Sequence, residues 1–161
     1  YSPLSLSLFE MAIYPSLMEK LSLVASKMIL LEKVIYRDAE RIDCLMTISA
    51  EDPFADEQGN VPAYIGLEYM SQAVAAHGSL DKVDEAERGK IGFFVGSRKV
   101  EMFVQEFYLQ QELLISANLV LEQEGFGVFD CAVRNADEGE LLMSGRLNFF
   151  QQENKDNIAD L

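Results

Sequence analysis

The chain is short of the residue types on which most functional motifs are built. Among its 161 residues there is one histidine, there are two cysteines and four prolines, and there is no tryptophan. One histidine leaves no Cys/His set at metal-ligand spacing. Cys44 and Cys131 stand far apart with no CxxC, so both are expected to be reduced core thiols, which points to a cytoplasmic setting. Positive charge is scarce as well: 13 Lys and Arg face 27 Asp and Glu, for a formal net charge of −14 and a sequence pI near 4.3. Nucleic acid is excluded on that ground, because neutralising phosphates takes clustered Lys and Arg that the chain does not have. Long apolar runs are missing too, and no stretch reaches the ~20 residues of a membrane-spanning helix. The first residues, YSPLSLSLFEMAIYPSL, carry neither a basic n-region nor a small-residue cleavage site, so no signal peptide is expected.

What the chain does have is apolar content. At 49% hydrophobic residues it fits one domain, able to bury roughly 70% of its unfolded surface without staples. Its most uneven stretch runs from Val61 to His77, VPAYIGLEYMSQAVAAH, in which Glu68 is the one charged side chain. A helix apolar almost all round belongs in the middle of a fold. A carboxylate held there is costly unless it is hydrogen-bonded, neutralised or used, so Glu68 is the first functional candidate, with a structural carboxylate tied down by backbone amides and Gln72 as the alternative.

Around that helix the pattern is mostly strand. Ser16 and Glu19 have capping-box spacing and Leu17, Leu21 and Val24 share a helical face, so a short helix is expected from Ser16 within an N-terminal extension, residues 1–27. Apolar and β-branched content favours a strand from Met28 to Tyr36, and strict alternation of Ile42, Cys44, Met46 and Ile48 favours another from Arg41 to Ile48; the two should pair as a hairpin. Residues 49–60, with Pro53, Gly59 and several acidic side chains, read as a loop leading to the helix. Pro62 suits the first helical turn, and Gly78 with the charged stretch 81–90 should end the helix near His77. Four alternating segments follow: Ile91 to Val104, Glu112 to Leu121, Phe126 to Asn135 and Glu140 to Phe150. Leu113, Ile115, Ala117, Leu119 and Leu121 should share one face, as should Leu141, Met143, Gly145, Leu147 and Phe149. Turns at 124–127 and 137–139 make the last three a meander. The expected architecture is α+β: one domain over residues 28–150, an antiparallel sheet with one apolar face wrapped around one long buried central helix, and a frayed tail at 151–161.

That layout is the hotdog fold. With the segment PFADEQGNVPAYIGLEYMSQ (53–72), it resembles the hotdog dehydratases that act on 3-hydroxyacyl chains carried by acyl carrier protein. PheValGlySerArgLys (94–99) is similar to the family's next strand. The loop start at Asp52 to Ala55, the GlyLeuGluTyrMet run and the ending LeuAsnPhePhe (147–150) resemble the branch associated with aryl polyene biosynthesis. The resemblance implies a dehydration in which a proton leaves the carbon next to the thioester and hydroxide leaves C3, chemistry that needs an acid, a base and a donor for the thioester oxygen. It implies no cofactor and no metal. It assigns Glu68 the acid or base role and makes Gln72, one turn on, the residue that helps hold the carboxylate. The amides around Ala63 and Tyr64 match the oxyanion donors, and Pro53, Phe54 and Gly96 are expected at the acyl-binding surface.

Departures from the family pattern are equally specific. The family places a loop His just before a Phe, where this chain has Pro53 before Phe54. The only histidine, His77, is nine residues past Glu68, roughly 13 Å along a helix axis and about 180° around it, so it is expected to be a satisfied polar group near the helix end. The family's Pro-His-Arg before the first strand is replaced by residues 22–27, and its later Pro-Gly by Leu109 and Gln110. Asp52 and Asp56 lie in the right loop but are expected to be solvated. Three functions follow: a 3-hydroxyacyl carrier-protein dehydratase, a non-catalytic acyl-binding subunit paired with an active dehydratase, or a thioester hydrolase using Glu68 to activate water. Acyl carrier protein is the expected partner, with Arg98 and Lys99 available to meet its acidic surface. The long apolar third strand should be an edge on which two copies join as a homodimer or higher oligomer, or on which a related dehydratase subunit pairs.

Overall fold

The computed structural model describes residues 30–80 and 91–152. The helix expected from Ser16, the connection 81–90 and the chain beyond 152 lie outside those residues.

The first hairpin forms as expected, with a shorter first strand. β1 (Lys33–Arg37) pairs antiparallel with β2 (Arg41–Thr47). Asp38 makes the turn: its Oδ1 accepts from the N–H of Glu40 at 2.9 Å and of Arg41 at 2.8 Å, an Asx turn that lets two residues reverse the chain. The loop then delivers a two-residue strand, β3 (Val61–Pro62), which pairs with β5 (Glu106–Phe107). The remaining strands are β4 (Ile91–Met102), β6 (Glu112–Gln123), β7 (Phe126–Asn135) and β8 (Leu141–Gln152). The main sheet is antiparallel throughout, in the order β1-β2-β6-β7-β8-β4. The meander β6-β7-β8 is therefore present, and β4 lies at an edge as expected. Glu124 and Gly125, both at positive φ, turn β6 into β7, and Gly139 at φ 74 serves the next turn, a conformation open to glycine at little steric cost.

The central helix differs from its expected bounds at both ends. Residues Ala63–Ile65 form a 3-10 turn and the α-helix proper, α1, is Gly66–Leu80. The chain enters from an extended Pro62 (ψ 139), and the Ala63 N–H donates to the Gln105 carbonyl at 3.0 Å, so the first turn is anchored outside the helix. At the far end Gly78 is not among the residues at positive φ, and a glycine that keeps helical angles does not end a helix.

The sheet curls around α1 and presents its alternate residues to it. Two cross-strand rows carry the contact: Cys44, Ile115, Val133 and Met143, and beside it Ile42, Ala117, Cys131 and Gly145. Their apolar side chains, Gly145 having none, are buried in one cluster with Tyr69, Met70, Ala73 and Val74 of the helix. Both cysteines are unbonded and buried as expected; burial pushes the Cys44 thiol up to about 12 and raises that of Cys131 as well. Alternation fails at two expected positions. A bulge between Leu119 and Leu121 adds a residue to β6, leaving Leu121 50% exposed instead of inward, and a second irregularity at the start of β8 buries Leu142 beside Met143 and leaves Leu141 partly exposed.

Close approach of helix and sheet depends on Gly66. A Cβ there would lie 2.5 Å from Met143 Sδ and 3.3 Å from Phe107 Cζ, and both of those side chains are buried. Gly66→Ala is therefore expected to destabilise the protein by about 1–3 kcal/mol through overpacking, while Gly78→Ala, where a Cβ meets nothing within 4 Å, should be neutral or stabilising. Urea midpoints of the two variants check this.

Candidate active site

Glu68 sits in the first turn of α1 and is 8% exposed. The helix macrodipole favours a carboxylate at that end. Its neighbours on the helix, Tyr69, Met70, Ser71 and Gln72, are all buried, so the charged group is carried into the interior by a segment with no polar face of its own. Ser71 resolves its own burial locally, donating Oγ–H to the Leu67 carbonyl at 2.7 Å. Gln72 lies one turn after Glu68 on the same face, and its Oε1 accepts the Leu30 N–H at 3.0 Å. Leu30 and Leu31 pack against the core, which brings the segment ahead of β1 onto the helix beside the site.

The helix start is less open than its sequence suggests. The Ala63 N–H already serves the Gln105 carbonyl. Tyr64 follows it in the 3-10 turn with its side chain 62% exposed, so the phenol does not share the buried face of Glu68. Pro53 is exposed, and Phe54 is half-buried against the core. Gly96 lies at a bulge of β4, opposite Asn148, and a Cβ there would meet nothing within 4 Å. The structure thus gathers Glu68, Gln72 and the loop around the helix and leaves Gly96 on the edge strand facing open space.

Asp52 departs from the solvated role expected of it. Its Oδ1 accepts the Phe54 N–H at 2.8 Å and its Oδ2 accepts the Tyr69 hydroxyl at 3.2 Å. Burial raises its carboxyl above the usual range, with the two hydrogen bonds working against that rise. Burial and the neighbouring Asp52 raise the Tyr69 phenol too, so it stays a neutral donor. Nothing in the sequence marks Tyr69 out, because an aromatic within an apolar run reads as core and its partner is 17 residues away. Asp56, by contrast, organises its own turn, accepting from the N–H of Gln58 and of Asn60 at 2.9 Å each.

His77 occupies the structural place expected of it. Its ring is buried, Nε2 lies 2.9 Å from the Asp38 carbonyl, and the ring meets Phe129 edge-on with centroids 5.9 Å apart. Against a carbonyl, Nε2 must carry the hydrogen. The backbone carbonyl of His77 in turn accepts from Arg37 Nε at 3.3 Å and Nη2 at 3.0 Å. The one imidazole of the chain thus fastens the helix end to the β1–β2 turn.

An antiparallel sheet closed around one central helix is the hotdog fold. Solved structures bear out the fold: a thioesterase-like protein from Streptococcus pneumoniae with coenzyme A superimposes with TM-score 0.59 at 13% identity, covering 76% of this chain and 86% of that one. AziG from S. sahachiroi does so at 0.57 and 13%, covering 75% and 90%. A more similar structure, "The Dehydratase Heterocomplex ApeI:P from Xenorhabdus doucetiae", reaches TM-score 0.70 at 30% identity over 84% of this chain and 90% of that one. The family model described as "ApeP-like: ApeP dehydratase" matches residues 18–160. The chain belongs to the ApeP-like dehydratase family. Among functionally curated proteins none matches it.

The structural assignment of His77 has a measurable consequence. His77→Ala deletes a buried hydrogen bond and an aromatic contact, so a loss of about 2–4 kcal/mol is expected, with the activity of the protein that remains folded close to parental. Thermal unfolding and activity per folded molecule, read on one preparation, check it, and a well-folded but inactive variant would contradict it.

Proposed function

We propose that this chain is a subunit of a 3-hydroxyacyl-[acyl carrier protein] dehydratase of aryl polyene assembly, with Glu68 as its acid or base. The observation that carries the reading is the burial of Glu68, 8% exposed, in the first turn of the helix at the centre of a dehydratase-family fold. In the reaction the C2–H and C3–O bonds break, a C2–C3 double bond forms and water leaves. Glu68 exchanges one of the two protons involved. Gln72 orients it, the Tyr64 amide at the helix start receives the thioester oxygen, and Pro53, Phe54 and Gly96 line the acyl chain. The domain limits belong to the same proposal: an extension over 1–27, the hotdog domain over 28–150 and a tail from 151, acting in the cytoplasm. Among the described residues no helix is long and apolar enough to cross a membrane.

A second proton carrier comes from outside this subunit. The family's loop His is replaced by Pro53, and His77 is committed to Asp38. The ApeI:P structure is described as a heterocomplex of dehydratases, which supports pairing with a related subunit that supplies the missing group. β4 is an edge strand, and Met102 and Phe103 at its end are large, apolar and exposed, a surface that a second subunit would cover. The same reasoning admits a homodimer. The committed role of His77 also favours a second reading, in which this chain binds the acyl group for an active partner without doing chemistry itself.

Carrier-protein docking has a local basis despite the −14 overall charge. Arg98 on β4 stands opposite Arg146 on β8, and Lys99, beside Arg98, is near enough to Asp130 to help lower its carboxyl, after the Arg146 hydrogen bond. Arg146 holds Asp130 through two contacts, of 2.7 and 3.0 Å. Three cations on neighbouring strands, with one carboxylate among them, make a basic spot that an acidic protein can find.

Two outcomes follow. In the purified complex, Glu68→Gln should lower dehydration by roughly 10²–10⁴, the usual worth of a positioned proton-transfer group, with the fold intact. Mass spectrometry of the carrier-bound product separates loss of water from release of free acid, and near-parental turnover would leave only the acyl-binding reading. The double charge reversal Arg98→Glu with Lys99→Glu should raise KM for the carrier substrate by about tenfold or more, with a salt dependence weaker than the parent's and kcat unchanged.

A further inference from the structure

The loop between β2 and the helix is held in two different ways along its length. Its distal half closes on itself around Asp56 and is pinned to the sheet side by Asn60, whose Oδ1 accepts the Leu109 N–H at 2.9 Å. The proximal half, residues 49–55, contains Pro53 and Phe54 and is organised by Asp52. The Asp52 N–H donates to the Ser49 carbonyl and its own carbonyl accepts the Ala55 N–H, both at 3.0 Å, while Oδ1 accepts from Phe54. A side-chain hydrogen bond ties that half to the helix: the Tyr69 hydroxyl donates to Asp52 Oδ2 at 3.2 Å.

Tyr69 is well placed to act as a fixed point. It is wholly buried, and its ring packs at a tilt on Phe107 with centroids 5.9 Å apart, so the hydroxyl is presented from a ring that cannot swing. Next in sequence before it is Glu68. A buried phenol needs an acceptor, and a hydrogen bond to a half-buried carboxylate is stronger than one in water.

We propose that Tyr69 is a positioning residue whose hydroxyl holds Asp52, and through Asp52 the Pro53–Phe54 segment, against the helix beside Glu68. The inference deepens the function proposed above and rests on it for the acyl-binding role of Pro53 and Phe54, whereas the link itself can be read without any activity. Tyr69→Phe removes one oxygen and keeps the ring. In the full chain, amide hydrogen exchange at Phe54 and Ala55 should accelerate by about tenfold or more, while exchange at Ile115 and Val133 in the centre of the sheet stays as in the parent. In the complex, KM for the 3-hydroxyacyl carrier substrate should rise with kcat near parental, the reverse of the split expected for Glu68→Gln.

Asp52→Asn tests the same bond from the loop side and serves if Tyr69→Phe folds poorly: it keeps an acceptor for the Phe54 N–H but replaces the one facing the Tyr69 hydroxyl, and Ala55 should again exchange faster. Unchanged exchange at Phe54 and Ala55 in a well-folded Tyr69→Phe protein would overturn the proposal, as would a loosened loop with no change in KM. If the parent complex dehydrates no acyl substrate, the functional reading fails instead, and the exchange rates still decide whether Tyr69 holds the loop.

Discussion

A helix without a polar face has to be enclosed, and the rest of this structure follows from enclosing it. The sheet curls until β2, β6, β7 and β8 all face α1, and where the two approach, small residues occupy the sheet: Ala117, Cys131 and Gly145 lie in one cross-strand row. Gly66 permits the same closeness at the helix start, directly under Met143 and Phe107. Dispersion between atoms this near is lost steeply with small gaps, so the fit between helix and sheet is set to within a side-chain methyl group.

Enclosure creates a second requirement, because the helix carries polar groups into the interior with it. Each is answered by a different part of the chain. Ser71 turns back on the Leu67 carbonyl, Gln72 receives the Leu30 N–H, Tyr69 reaches Asp52 in the loop, and His77 reaches the Asp38 carbonyl in the β1–β2 turn. Three of these four bonds fasten surrounding segments to the helix. The polar groups that a buried helix could least carry alone therefore determine where the N-terminal segment, the loop and the first turn sit, and Glu68 lies among them.

The charge distribution separates two surfaces of the protein. On the outer side of the sheet, Arg146 and Asp130 form a cross-strand pair with Arg98 and Lys99 close by. The paired Arg146 holds the Asp130 carboxyl below its ordinary value, but Asp130 is about half exposed and Arg146 about a third, and such solvent-facing pairs add little to stability in water. Their consequence is electrostatic patterning: a basic spot on an acidic molecule, at the strand edge that also carries Gly96.

Much of this was legible in the chain. Period-two alternation over β6, β7 and β8, the glycine turns and the apolar run 61–77 specify a sheet and a central helix because each is a local property: side chains alternate along any strand and backbone angles are set residue by residue. The isolation of Glu68 was legible for the same reason. What the chain alone could not decide involves partners distant in sequence. Whether β6 bulges at Leu119, whether Gly78 stays helical, whether the Ala63 amide is engaged by Gln105, and whether Asp52 is solvated or held by Tyr69 all depend on which backbone arrives opposite, and at what register. Composition and periodicity determined the fold and named the carboxylate buried in the helix; the packing of the sheet around the helix alone decided which hydrogen-bonding groups beside it are already committed, because register between distant strands is a property of the assembled chain and of no single segment.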